Sequence, residues 1–251
     1  MGITFAELSP WLLLLAPLAI IAAYVVFGLS GFGSTVVAVP ILAHFLPVSY
    51  LVPLMVLLDM SSAIFLGTTG RKHVDRGELK RILPWMFVGF AIGLTVLVGM
   101  PDRYLRLALG IFAAAVGVNA IFNPTLHKTI SQLWSIPAGI TGGALATIFG
   151  AGGPVYSTYL SGRLRDKTEI RSTISTLISI SAVSRAIIYA VSGLLLHVSL
   201  LVGALALAPF AWLGLKIGNR IHVGLSQEQL RRAIGGVLVV SGIGLVLRAL
   251  P

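Results

Sequence analysis

Cysteine is absent from the 251-residue chain, and charged residues are scarce. Without cysteine the protein has no disulfide, no thiolate metal ligand and no thiol nucleophile. No GxxxxGK[ST] phosphate loop is present, so ATP does not drive this chain directly. Charged residues make up only 10% of the sequence, whereas soluble domains average about 25%. Together with a mean hydropathy of +0.97, this scarcity predicts a membrane protein with many spanning segments.

The uncharged stretches are long enough to cross a bilayer several times. A spanning helix requires about 20 mostly apolar residues. The segments without Asp, Glu, Lys or Arg are 8–58, 82–101, 107–127 and 129–162, and 172–215 carries the single charge of Arg185. Most of the chain is therefore expected to lie in lipid.

Acidic residues are few, which leaves a net charge of +10. In a soluble protein such a charge would suggest nucleic acid. Here Lys and Arg concentrate in the segments 71–81, 162–171 and 216–232, as the positive-inside rule predicts for cytoplasmic loops. We therefore expect no nucleic-acid partner.

The two halves of the sequence resemble each other. Glycines of the motif SGFGS recur 119 residues later in FGAGG, and several further matches share an offset of 125 residues. The matched positions are Gly31 with Gly150, Gly33 with Gly152, Gly89 with Gly214, Gly93 with Gly218, Leu105 with Leu230, Arg106 with Arg231, and Gly110 with Gly235. This pattern indicates an internal duplication.

The basic loops constrain the topology. Eight ordinary spans would place loop 71–81 on the opposite side from the other two basic segments. If each glycine motif instead turns the chain back to the side it entered, all three segments become cytoplasmic and both termini external. Each half then holds a hairpin and three spans. Because three is odd, the second half is inverted relative to the first. A variant with ten crossings has the same parity.

The sequence thus predicts an all-α polytopic fold built from two inverted repeats. The first repeat, 1–127, comprises a hairpin at 9–46 and spans at about 50–69, 82–100 and 104–122. The second, 128–251, comprises a hairpin at 134–162 and spans at about 172–192, 199–217 and 232–250. The return limbs are too short to cross lipid, so the glycine turns are expected near mid-membrane.

The broken helices are the candidate anion site. Irregular backbone survives in lipid only where it is buried or lines a polar cavity, and a helix N-terminus attracts anions. Two such termini facing each other would form one cradle. Its expected substrate-binding residues are Gly31, Gly33, Ser34, Thr35, Gly150, Gly152, Gly153 and Pro154. Other glycine pairs, Gly89/Gly93, Gly139/Gly143 and Gly214/Gly218, are expected to pack helices.

Two charged residues lie inside apolar segments. Arg185 is a substrate-binding candidate, because intramembrane charge is usually functional; the alternative is that its head reaches an interface. Asp59 is the only carboxylate deep in an apolar segment, and it either partners Arg185 or relays protons. The serines and threonines of 172–184 either line a polar path or bond their own backbone. The histidines do not cluster, so no metal site and no cofactor is expected.

The glycine motifs resemble those of the sulfite exporter TauE/SafE family, also called the 4-toluene sulfonate uptake permease family. The matches are SGFGS at 30–34 and FGAGGP at 149–154, followed by the basic GRLRDKTEIRST. Ser34 stands where the family often has glycine. The resemblance covers nearly the whole chain and implies a transporter of small sulfur-containing anions such as sulfite or sulfoacetate.

The sequence therefore favours a secondary transporter in the plasma membrane and not an enzyme. The expected direction is export, coupled to protons or to the membrane potential. Its expected partners are the small anion and the lipid bilayer, and a homodimer is compatible with the sequence. Two alternatives stay open. GLSG at 28–31 matches intramembrane serine proteases, with Ser30 as nucleophile and only His44 and His197 near membrane depth. A membrane assembly factor without transport is the other.

Overall fold

The structure, a computed structural model, describes residues 10–30, 33–66, 73–122, 129–220 and 227–249. Within these ranges the regular structure is helical and no strand occurs, which confirms the all-α class. The helices are α1 (Pro10–Ser30), α2 (Ser34–Leu42), α3 (Val48–Leu66), α4 (Arg76–Gly99), α5 (Asp102–Phe122), α6 (Ser135–Phe149), α7 (Gly153–Arg163), α8 (Lys167–Val191), α9 (Val198–Arg220) and α10 (Gln227–Ala249).

Six of these helices are long and apolar enough to cross a membrane: α1, α4, α5, α8, α9 and α10. Their outward surfaces are apolar, as shown by Trp11, Val191 and Leu205, which are 76%, 85% and 75% exposed. Such side chains are stable against hydrocarbon and unfavourable against water. The polytopic membrane class is therefore confirmed. Helix α3, at the predicted span 50–69, has a shorter apolar part, Val48–Ser61.

The chain turns back at each glycine motif. Helix α7 runs back along α6. The contacts that show this are those of the Tyr156 ring with Gly142, and of Gly152 with the carbonyl oxygen of Gly142. In the first half, Gly33 lies beside Val26 of α1. The return limbs α2 and α7 have 9 and 11 residues, whereas the entering limbs α1 and α6 have 21 and 15. At about 1.5 Å per residue, α1 is long enough to cross the bilayer by itself.

Glycines form the contacts between the two halves. Gly89 and Gly93 of α4 lie against the backbone of α6, whose Gly139 and Gly143 in turn face α4. The mirror contact joins α9 to α1, where Gly214 and Gly218 face Ile21 and Val25. In both pairs the helices run parallel. The predicted packing role of the three glycine pairs is confirmed.

Helices α5 and α10 pair in opposite directions through four glycines. Gly110 faces Gly242, and Gly117 faces Gly235. Gly110 and Gly235 are matched positions of the sequence repeat, and the same offset of 125 residues relates Gly117 to Gly242. The contact of Gly110 with Gly242 and that of Gly117 with Gly235 are therefore equivalent, because exchanging the two halves of the sequence converts one into the other.

Candidate functional site

The two chain reversals touch each other. Gly33 precedes α2 with φ 103°, and Gly150 ends α6 with φ 70°. Both have a left-handed backbone conformation that residues other than glycine rarely adopt. A Cβ atom on Gly150 would lie 2.8 Å from the Cβ atom of Thr35. The two motifs, far apart in sequence, therefore meet in the interior of the protein.

The two helix N-termini at this junction carry no side-chain cap. Gly33 precedes α2 and Gly152 precedes α7. At neither position does a side chain accept a hydrogen bond from the first-turn N–H groups. Pro154 is the second residue of α7, where its missing N–H removes none of the helix's hydrogen bonds. The first-turn amide hydrogens and the positive end of the helix dipole are features that attract an anion.

Arg185 reaches this junction from α8 and is only 2% exposed. Its Nε donates to the carbonyl oxygen of Ser181 at 3.3 Å, and one terminal nitrogen donates to that of Ala146 at 2.7 Å. Ala146 lies in the last turn of α6, so a cation stands at the negative end of that helix. Tyr189, one turn further along α8, donates to the carbonyl oxygen of Thr147. The carbonyl oxygen of Ala146 also accepts from the N–H of Gly150, so Arg185 adds a second bond to it, and Tyr189 bonds the carbonyl of Thr147 at the end of the same helix.

Asp59 of α3 is the opposite charge at the junction and is 4% exposed. It accepts hydrogen bonds from Tyr24 and Ser34 on one oxygen, both at 2.8 Å, and from Thr35 on the other at 3.1 Å. Ser34 and Thr35 therefore hold Asp59 and do not cap α2. A carboxylate of the protein itself thus lies beside the first turn of α2. Among the described residues, Asp59 and Arg185 form no direct ion pair.

A cavity of about 20 Å³ lies between these groups. That volume accommodates about one or two water molecules, so a larger anion requires the walls to move apart. The polar side chains along it are those of Ser34, Thr35, Asp59, Tyr156, Ser181 and Arg185. Among the described ranges, Asp59 and Arg185 are the charged side chains that line it.

Tyr156 of α7 supplies an unpartnered polar group to the cavity. The residue is fully buried, and its hydroxyl oxygen has no hydrogen-bond partner in the described part of the chain. A buried tyrosine hydroxyl usually finds a partner, and an unpaired one is costly. Because Tyr156 lines the cavity, a ligand with an acceptor oxygen there would complete its bonding.

Comparison with known proteins agrees with this geometry. The sequence profile of the sulfite exporter TauE/SafE family matches residues 15–245. The chain belongs to this family. A curated relative, the probable inner membrane transporter protein TsaS of Comamonas testosteroni, is 28% identical over 195 residues, which cover 76% of this chain and 81% of the relative. No solved structure gives a significant match. TauE/SafE proteins are transporters, so this protein is a multi-pass membrane transporter and not an enzyme.

Most of the residues singled out from the sequence are brought together in this TauE/SafE protein. The cavity lining includes Gly33, Ser34, Thr35, Asp59, Gly150, Gly152, Gly153 and Arg185. Pro154 follows directly in α7 without lining the cavity. Gly31 and the side chain of Ser30 lie outside the described residues.

Sequence reasoning missed Tyr156. The sequence places this tyrosine two residues after the GGP break, in an apolar segment where water is not expected. A hydroxyl in such a segment needs another hydrogen-bond partner. The serines of α8 divide between the two expected roles. Ser179 bonds the backbone of its own helix, and Ser181 lines the cavity.

A second buried polar cluster, also missed, joins α4 to the end of α7. Glu78 is 2% exposed and accepts from Arg81 at 3.0 Å, from Arg163 at 2.9 Å and from Tyr159 at 2.6 Å. Arg163 also donates to the carbonyl oxygen of Ile130. Asp59 is therefore not the only buried carboxylate. The cluster ties the return limb α7 to the start of α4, beside the two basic segments 71–81 and 162–171.

Proposed function

We propose that the protein is a secondary transporter of small sulfur-containing anions, sulfite or an organosulfonate such as sulfoacetate, which it exports across the plasma membrane. The observation that carries the proposal is the buried cavity between the two broken helices, with a cation and an unpartnered hydroxyl in its wall. Membership of the sulfite exporter family and similarity to the probable inner membrane transporter TsaS support a transporter of this kind.

The anion is proposed to bind on the α7 side of the cavity. The first two side chains of α2 donate to Asp59, so an anion there would meet a carboxylate, whereas α7 begins with Gly153 and Pro154 and holds none in this way. Amide hydrogens of Gly152 and Gly153 would bind oxyanion oxygens, as helix N-termini do with anions elsewhere. Arg185 would supply positive charge and Tyr156 a hydroxyl donor. Glycine at these positions lets the substrate approach the backbone closely.

Access is proposed to alternate by movement of the two halves against each other. The antiparallel α5–α10 pair, with its exchanged glycine contacts, supports inverted repeats related by a two-fold axis in the membrane plane. The parallel pairs α4–α6 and α1–α9 support the same relation. Because the cavity is smaller than an oxyanion, its widening would accompany entry of the substrate from either side.

The direct test is the flux of radiolabelled sulfite through purified protein in liposomes, which is measured whether or not transport carries net charge. The flux is expected to saturate with concentration, and Arg185→Gln and Gly152→Leu are expected to weaken it. Gly236→Ala is the matched control, since a Cβ atom at Gly236 would meet no atom within 4 Å. Absence of flux with sulfite, sulfoacetate and thiosulfate alike would refute the substrate class, and unsaturable flux would indicate a channel.

A further inference from the structure

Substrate binding would bring a second negative charge into a cavity that already holds a carboxylate. Asp59 and Arg185 both line the cavity. With Asp59 ionised, the two fixed charges cancel, and an incoming anion leaves a net negative charge among buried side chains. Like charges that share a buried site are rarely both ionised, because a proton binds to one of them.

The hydrogen bonds of Asp59 fit a group that changes its protonation state. Its partners Ser34, Thr35 and Tyr24 are all hydroxyls. A hydroxyl donates to a carboxylate and also accepts from a carboxylic acid. These partners can therefore reverse direction when Asp59 takes a proton, without any side chain leaving its place. Arginine or lysine as a direct partner would not allow this.

We propose that the anion binds together with one proton, which Asp59 takes up, so that a singly charged oxyanion crosses with a proton and its export is driven by its own concentration gradient against the inward proton gradient. This inference rests on the proposed function and names its coupling ion. The proton comes from the solution on the side to which the site is open and adds to the carboxylate; no covalent bond of the substrate changes. With Asp59 neutral, Arg185 balances one negative charge, so a monoanion is favoured over a dianion.

Among the groups around the cavity, Asp59 is the one proposed to accept the proton. The groups that face it are Tyr24 from α1, Ser34 and Thr35 from α2, Tyr156 from α7 and Arg185 from α8. The residues of α6 include no titratable side chain. Helix α3 also packs against α5 and α9. The charged residues of those helices lie at their ends: Asp102, Arg103 and Arg106 in α5, and Lys216 and Arg220 in α9.

The test is calorimetric titration of the purified full-length protein with ethanesulfonate, whose charge is constant over the working pH range. Titrations in buffers of different ionisation enthalpy measure the protons taken up. The wild type is expected to take up close to one proton per anion above the pH at which free Asp59 ionises. In that range its affinity should fall by up to tenfold per pH unit.

Two variants make the result specific to Asp59. Asp59→Asn is expected to bind ethanesulfonate without proton uptake and with an affinity independent of pH. Glu78→Gln, which alters the other buried carboxylate, is expected to keep the proton uptake. Binding to the wild type without proton uptake, proton uptake that persists in Asp59→Asn, or no binding of ethanesulfonate at any pH would each overturn the inference. Sulfite flux in liposomes decides the proposed function separately.

Discussion

The hydroxyl of Tyr156 offers the sharpest test of the site, because removing it should affect stability and binding in opposite directions. The oxygen is buried without a partner in the described part of the protein. Burying an unsatisfied hydroxyl costs about 1–3 kcal/mol. The Tyr156→Phe variant removes this cost and leaves the ring against Gly142. Its thermal unfolding temperature in detergent should therefore equal or exceed that of the wild type.

Binding is expected to weaken in the same variant. If the hydroxyl donates to the bound anion, its loss removes a hydrogen bond to a charged group, worth about 1.5–3 kcal/mol. That energy corresponds to roughly a 10- to 150-fold rise in the dissociation constant. The assay is calorimetric titration with sulfite, together with the concentration that gives half-maximal sulfite flux in liposomes.

Tyr159→Phe is the matched control on the same helix. The Tyr159 hydroxyl donates to Glu78 at 2.6 Å, so its removal should lower the unfolding temperature and leave sulfite affinity unchanged. The reasoning on Tyr156 would be refuted if Tyr156→Phe bound sulfite as tightly as the wild type. A marked loss of stability in Tyr156→Phe would equally contradict it, since the hydroxyl would then have a structural partner.

Three further predictions concern the fold. Gly93→Ala should destabilise the protein by about 1–3 kcal/mol in thermal unfolding, because its Cβ atom would lie 2.7 Å from a threonine side chain of α6. Gly236→Ala, with open space around it, should leave the stability unchanged. Equal effects of the two substitutions would argue against close helix packing. Glu78→Gln should lower the unfolding temperature, because the buried carboxylate bonds two arginines and a tyrosine; an unchanged value would show that the cluster adds nothing to stability. Reporter fusions after Lys80 and Lys167 should both be cytoplasmic and a C-terminal fusion external; any other pattern contradicts the inverted topology.

Much of the candidate site could be predicted from the sequence because lipid restricts what a backbone can do. A glycine-rich break in an apolar segment must be buried or line a cavity, and a charge such as Arg185 must face the interior. These constraints act locally, so they can be read from short stretches of sequence. They predicted the cavity-lining glycines, and they predicted Asp59 and Arg185 as its charged residues.

The pairing of side chains could not be predicted in the same way. Ser34 and Thr35 follow a helix break, where their hydroxyls ordinarily cap the helix or bind a ligand. Their actual partner is Asp59, about 25 residues away, and that choice depends on how closely α3 approaches α2. Glu78 likewise lies near a helix start beside a basic loop, a position typical of an exposed residue. Its burial results from contact with Tyr159 and Arg163 of α7.

The two broken helices look alike in sequence, yet they differ in what their ends hold. The first two side chains of α2 donate to Asp59, whereas α7 begins with Gly153 and Pro154, which have no side chain that could hold a carboxylate. Sequence duplication alone favours a symmetric cradle in which both termini bind the anion. The geometry favours an asymmetric one, in which α7 and Arg185 receive the substrate beside Asp59. If Asp59 takes up a proton when the anion binds, as proposed, the same small cavity can hold both a carboxyl group and an anion, with Arg185 balancing the anion's charge.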